Sequence, residues 1–304
     1  MKDFGYRPVV LEFLGGYEIA VMARYWCRRQ AAREKGKGAS FGLMLLGVCD
    51  RATPALASEV AQLAAALSSF EDAQARLQQR GVKMSIRRIA TIAYPFSRRA
   101  RQRQELEGMG IAGSLSGKRV VVSMDGGRLR VRKPKRGKKT KKGRTRYHTD
   151  WREPKLPVIH TVDEKGRIDQ EFAPVIDGTL QGPDEVFRLV KFYLAQLGIA
   201  QAAKILFIAD GAKWIWQRER DYLLRNVRPG RLNYAKTRRA KLPMGSGTME
   251  SAVRRVVNLR LKGASIFWTE EHAEQMLLLR TYYKSHRWQV PEQKTFAPPL
   301  ATAA

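Results

Sequence analysis

The sequence predicts an α/β fold: a mixed sheet flanked by helices and preceded by a helical, helix-turn-helix-like region. Three observations carry this. Segments of helical period between Thr53 and Pro95 bring their own start and stop residues. From Gly117 onward, short apolar runs alternate with amphipathic stretches, the pattern of strands covered by helices. Residues 97–118, between the two regions, are basic and read as a helical linker.

Residues 1–50 are expected as an N-terminal segment. Its GYEIAVMARYW run predicts a strand or a partly buried hairpin, followed by the polar break REKGKG. Residues 51–96 hold three helices. Thr53 is the expected N-cap of the first, with Pro54 at the first helical position, where its missing N–H costs nothing. Ser69 caps the second helix, which stops at Gly81, and Ser85 caps a third that Pro95 should end. The tight Gly81–Val82 corner before the third helix resembles a helix-turn-helix, placing Arg87 and Arg88 where recognition residues face DNA. A plain helical bundle with solvated arginines is the alternative.

The domain spanning 119–290 begins with GKRVVVSMD as a strand and RLRVRK as another. KLPVIHTVDEKGRIDQEFAPVIDG predicts a strand, an Asp-Glu-Lys-Gly turn and a further strand. PDEVFRLVKFYLAQLG is an amphipathic helix stopped by Gly198, and AKILFIADG is an apolar strand of the kind buried at a sheet centre. WIWQRERDYLLRN reads as helical, as do roughly 249–261 and 269–285. Residues 291–304 are expected as a C-terminal tail.

With 57 Lys and Arg against 28 Asp and Glu, the formal charge is +29. Such an excess calls for a polyanionic partner, most simply nucleic acid, with lipid headgroups as the competitor. No run of 18 apolar residues and no secretory leader is present, so a cytoplasmic, non-membrane protein is expected. Two cysteines, Cys27 and Cys49, are too few for a disulfide scaffold.

Asp125 (SMDGG) and Asp210 (IADGA) each end an apolar strand ahead of glycine. Neighbouring strands lie about 5 Å apart, so two such ends can converge on one cation. Asp-Gly is also a common turn, and either motif alone is weak. Glu250, after the GSG of LPMGSGTMESAVRRVVNLRLKG, is the candidate third ligand, on a helix that Thr248 could cap. The helix dipole alone would also favour an acid there. Carboxylates bind hard cations such as Mg²⁺ or Mn²⁺, and two ions about 3.5–4 Å apart support in-line displacement at phosphorus. Arg254 and Arg255 give the same helix a basic surface.

The segment 133–146 contains nine basic residues in fourteen and no acid. Lys133, Lys135, Arg136, Lys138, Lys139, Lys141, Lys142, Arg144 and Arg146 would clamp phosphates from a connection near Asp125; a solvated loop is the alternative. Trp214 is a candidate for base stacking, with core packing the alternative. Asp177 and Asp184 suit turn formation and helix N-capping.

The blocks SMDGGRLRVRKPKRGKKTKKGRTRYHTDWREPKLPVIHTVDEKGR, FIADGAKWIW and LPMGSGTMESAVRRVVNLRLKGASIFW, with SFEDAQARLQQRGVKMS before them, resemble insertion-sequence transposases of the ISKra4-like group. The resemblance spans nearly the whole chain. It implies an RNase H-like catalytic domain with an Asp-Asp-Glu triad at Asp125, Asp210 and Glu250, and divalent-metal-dependent cleavage and strand transfer of element ends. It also implies double-stranded DNA as partner and a homo-oligomer on that DNA. Two departures stand out. Where the family carries a paired-cysteine, zinc-ribbon-like segment, this chain offers Cys27 alone, as in a degenerate hairpin. Forty positions separate Asp210 from Glu250, where relatives have a long helical stretch. An internally deleted copy that acts only as a DNA-binding protein, and a structure-specific nuclease, are the competing expectations.

Overall fold

A computed structural model of the chain describes residues 2–27, 38–108, 114–209, 234–243, 245–264 and 266–297. It divides into two units, Met1–Glu107 with Trp288–Ala304, and Gly108–Arg287.

The first unit opens with an antiparallel hairpin of β1 (Lys2–Glu12) and β2 (Glu18–Cys27), with an irregularity between Asp3 and Tyr6. The GYEIAVMARYW run is a single strand, β2, and its partner β1 is built from residues that the sequence pattern leaves unassigned. Four helices follow: α1 (Phe41–Leu45), α2 (Pro54–Ala66), α3 (Phe70–Gln79) and α4 (Ile86–Glu107). Ser69 caps α3 by accepting from the Asp72 N–H at 2.9 Å, and Ser85 accepts from the Arg88 N–H at 3.2 Å. Thr53 holds the N-cap position of α2 without a side-chain capping bond.

Pro95 does not end the third helix. It lies inside α4, which continues to Glu107 and takes in residues expected as linker. The physical reason is packing. A mid-helix proline costs about 3 kcal/mol, whereas each large apolar side chain fully buried returns about 1.5–3 kcal/mol. Ile89, Ile92 and Phe96 are all completely buried along this helix. Nor is 291–304 simply a tail: Gln289–Phe296 is helical and packs on α4. Phe96 stacks on Trp288 with ring centroids 5.6 Å apart and meets Phe296 edge-on at 5.5 Å. Thr295 Oγ1 donates to the Phe96 carbonyl at 3.0 Å, a further tie between the two helices.

The second unit is mixed α/β. Its strands are β3 (Arg119–Gly126), β4 (Leu129–Pro134), β5 (Tyr147–Arg152), β6 (Lys155–Val162), β7 (Val175–Ile176) and, beyond α5 (Pro183–Gln196), β8 (Lys204–Ala209). Four strands form a sheet ordered β7-β6-β3-β8, antiparallel except for the parallel β3–β8 pair. β4 and β5 form a separate two-stranded sheet. Then come α6 (Tyr234–Arg239), α7 (Gly247–Val253, running on as a π turn over Arg254–Asn258) and α8 (Glu270–Lys284). The C-terminal helix, Gln289–Phe296, is α9.

Three expectations shift. β5 was missed because its residues, YHTDWR, are polar or exposed and lack an apolar face. The strand expected after the Asp-Glu-Lys-Gly turn is reduced to Val175–Ile176. β8 is not central: it pairs only with β3 among the described strands and is half-exposed, while every residue of β6 is buried. The predicted helix around Trp214 lies outside the described residues.

His160, on β6 opposite Val121, is 3% exposed and its Nδ1 has no hydrogen-bond partner. Burial pushes its pKa down to about 4. A histidine held neutral in the folded chain but titrating near 6.5 when unfolded destabilises the fold as pH drops below that unfolded value. Stability is therefore expected to fall by roughly 2 kcal/mol between pH 7 and pH 5. In urea titrations at both pH values, His160→Gln should flatten this dependence; an unchanged slope would show that other groups cause it.

Candidate functional site

Asp125 lies near the C-terminal end of β3. Asp125 is half-buried, opposite Leu156 of β6, and its Oδ1 accepts the Gly126 N–H at 2.6 Å. This local bond is the Asp-Gly turn contact expected of the motif, and it leaves the carboxylate at the sheet rim. On the other side of β3 the parallel register ends with Met124 opposite Ala209. Asp210 is the next residue in sequence after Ala209 and lies outside the described residues, as does Trp214.

Glu250 sits on α7, which packs against β3 and β6. Two residues beyond Asp125, the side-chain direction of Gly127 is closed by Val257 Cγ1 at 3.1 Å and Val253 Cγ1 at 3.6 Å. Val253 is three residues after Glu250, on the same side of the helix. The helix that carries Glu250 thus packs Val253 and Val257 on Gly127, the residue after β3. Met249, Ala252, Val256 and Val257 are buried beneath, and Glu250 is exposed. The cap is not Thr248: the helix starts two residues earlier than expected, with Ser246 at the N-cap position. Ser246 Oγ donates to Glu250 Oε1 at 2.5 Å and fixes that carboxylate.

The π turn after Val253 leaves the Arg255 and Val256 carbonyls to partners outside the helix. Arg280 of α8 supplies them: it donates to the Val256 carbonyl from Nε at 2.6 Å and to the Arg255 carbonyl from Nη2. This guanidinium is 2% exposed. Burial, reinforced by Arg260, lowers its pKa to about 10, so it stays charged at neutral pH.

A further acid at this edge had no motif to announce it. A side chain at Gly126 would run into Glu153, with Oε1 2.5 Å from the Cβ position. Glu153 pairs with Lys155 at 3.3 Å, whose backbone lies opposite Gly126. Gly126 and Asp125 are successive strand residues, so Glu153 and Asp125 lie toward opposite faces. Only the connection of β5 to β6 brings it there. Among the described residues, no group of three or more His, Cys, Asp and Glu side chains is placed to hold a metal ion.

The basic segment is displaced from its expected place. It joins β4 to β5, and β4 leads away from the rim: Leu129 and Arg152 pair at the hairpin base, Pro134 and Tyr147 at its far end. Five strand steps, about 17 Å, separate base from tip. The loop therefore projects at the tip of a separate hairpin and not beside Asp125. Thr140 organises the tip by accepting the Gly143 N–H at 2.8 Å and receiving the Arg144 N–H on Oγ1 at 3.1 Å. Lys135, Arg136, Lys138, Lys139, Lys141, Lys142, Arg144 and Arg146 are exposed. Lys133 is instead paired with Asp150 at 2.6 Å, a hydrogen bond that lowers the Asp150 pKa. Arg254 is exposed, and Arg255 is half-buried.

Arg87 and Arg88 part company. Arg87 is exposed. Arg88 turns inward, donating to Glu12 Oε1 at 2.5 Å and to the Asp50 carbonyl at 2.9 Å, with both ends of the ion pair under 20% exposed. The hairpin turn also sits on the α3–α4 corner. A side chain at Gly16 would lie 2.1 Å from the Gly81 carbonyl oxygen, and both glycines have φ of +81°. The corner is thus a packing junction, and Arg88 ties it to the hairpin. Cys27 and Cys49 are buried and in no disulfide, and Arg99 donates to Cys49 Sγ at 2.6 Å. No described helix is long and apolar enough to cross a membrane.

Arg88→Ala should lower unfolding free energy by roughly 1–3 kcal/mol, whereas Arg87→Ala should stay within about 0.5 kcal/mol of the parent. Denaturant melts of both variants check this, and equal losses would remove the structural assignment of Arg88. Comparison of the chain with protein-family models, with curated proteins and with solved structures returned no match.

Proposed function

We propose that this chain is a DNA transposase of the insertion-sequence type, similar to the ISKra4-like group, with an RNase H-like catalytic domain. One observation carries the reading: β3 and β8 are adjacent and parallel, Asp125 is the last residue but one of β3, and Asp210 follows β8 in the sequence. Ligand sites of open α/β sheets lie at the carboxyl ends of such strands. The helix bearing Glu250 packs on the same strand as Asp125, which supports its place as the third acid. A sheet running β7-β6-β3-β8, antiparallel until its last pair, agrees with an RNase H-like core.

Asp125, Asp210 and Glu250 are the residues that would hold Mg²⁺ or Mn²⁺, an all-oxygen donor set that suits hard cations. Such ions, when bound, activate a water or a 3′-hydroxyl and stabilise the leaving oxygen. Around them, Ser246 holds the Glu250 carboxylate, and Arg280 fixes the backbone of the helix that carries it. The exposed cations of the β4–β5 loop, with Arg87 and Arg254, neutralise DNA phosphates. The functional unit on transposon ends and target is a homo-oligomer.

The test is cleavage and joining of the DNA that flanks the chain's own reading frame, with Mg²⁺ or Mn²⁺. Asp125→Asn, Asp210→Asn and Glu250→Gln are each expected to reduce turnover by about a hundred-fold or more, with duplex affinity kept within about two-fold because phosphate contacts carry the binding. Full activity in Asp125→Asn would sink the assignment. Salt-sensitive duplex binding without any cleavage by the parent chain would favour the deleted, binding-only copy suggested by the forty-position interval between Asp210 and Glu250.

A further inference from the structure

The β4–β5 hairpin has two unlike faces. Leu129 and Val131 are completely buried on the inner one. The outer face presents Arg130 opposite Trp151 and Arg132 opposite Thr149, with Tyr147 at the far end opposite Pro134. Trp151 is 55% exposed and Tyr147 45%. Along the other edge of β4, the segment at Trp268 adds backbone bonds: Arg132 N–H donates to the Trp268 carbonyl at 2.7 Å, and Trp268 N–H to the Arg130 carbonyl at 3.1 Å. Trp268 is buried beneath, so its neighbour Phe267 falls on the outer side.

Guanidiniums and rings alternate across this face. Arg130 lies over Phe267 at 4.6 Å and over Trp151 at 5.9 Å; Arg132 lies over Tyr147 at 4.7 Å and over Phe267 at 5.4 Å. Arg130 is anchored to the Gly263 carbonyl. Arg132 makes no ion pair among the described residues, so its N–H groups can still meet a phosphate. The solvent face of a small antiparallel sheet is ordinarily polar, and large exposed rings held between planar cations are an unusual way to fill it. The face also runs from the hairpin base, two residues before Glu153 at the rim of β3, to the basic loop at the tip.

We infer that this outer face is a platform for single-stranded DNA, with unpaired bases stacking on Trp151 and Tyr147 and the phosphates held by Arg132 and the loop cations. Trp151 and Tyr147 are four strand positions apart, about 13 Å, so they serve two separate bases of one extended strand. Base faces are available in a single strand and closed off inside a duplex stack, which is why the rings select the former. An acidic protein segment would satisfy the arginines but leaves the rings without a reason. The choice of DNA over RNA rests on the proposed transposase function; the stacking face itself does not.

The experiment is fluorescence anisotropy of the full chain with a labelled single strand of about 12 nucleotides, within the site sizes of such platforms, at fixed salt. A duplex, an abasic strand of the same length and the matching RNA are measured alongside. Trp151→Ala is expected to weaken single-strand binding roughly ten-fold or more, and Trp151→Phe to restore most of it. The abasic strand should bind the parent as weakly as the normal strand binds Trp151→Ala, and duplex affinity should change less than about two-fold in the variant. Tyr147→Ala carries the same test if Trp151→Ala does not fold. Equal binding of normal and abasic strands, or equal losses for duplex and single strand, would overturn base stacking. A clear preference for RNA would overturn the assignment to DNA. The cleavage assay on Asp125→Asn fails or succeeds separately, so a wrong platform and a wrong transposase reading give different results.

Discussion

The buried guanidinium of Arg280 is the interaction on which the second unit depends. A charge taken out of water is tolerated only where its donors are satisfied, and Arg280 finds acceptors in the Arg255 and Val256 carbonyls of the π turn. The dependence runs both ways. A π turn frees carbonyls that a buried α-helix would have used internally, and without Arg280 they would be stranded under the helix. The pair therefore locks α8 to the helix that carries Glu250. Val253 and Val257 then close on Gly127, the residue after β3. Glycine at 127 is what allows this approach, because Val257 already stands 3.1 Å from where a side chain would begin.

Charge acts on a different scale. The excess of cations cannot be neutralised within the chain, and much of it is exposed on one hairpin loop. Where acids are near, they are used locally: Glu12 on Arg88, Asp150 on Lys133, Glu270 on Arg152. The two more exposed pairs, Asp150 with Lys133 and Glu270 with Arg152, add little stability, but all three decide which cations remain available. Lys133 and Arg88 are spent inside the protein, while the loop from Lys135 to Arg146 and the outer arginines of the hairpin face solvent. The same residue type thus has different roles according to what lies within reach.

Local chemistry was legible where one residue suffices. Ser69, Ser85 and Gly81 mark helix ends because a hydroxyl or a left-handed backbone is required at those points, and they do so here. β3 and β6 are apolar runs and β4 alternates apolar with basic residues, so all three are readable as strands. Pro95 misled, because its local cost is visible in sequence while the burial of Phe96 between Trp288 and Phe296 is not. β5 was hidden for the opposite reason: its pairing with β4 comes from backbone hydrogen bonds, which leave no trace in side-chain hydropathy.

The sequence by itself determined the mixed α/β class, the excess of positive charge and the candidate acids, since strand ends, charge and turn residues are local properties. Only the tertiary structure decided that α7 packs Glu250's turn beside Asp125's strand, that Glu153 reaches Gly126, and that the basic loop stands at the tip of a separate hairpin. Those are contacts between residues far apart in the chain, fixed by which surfaces exclude water together. No periodicity within either partner records them.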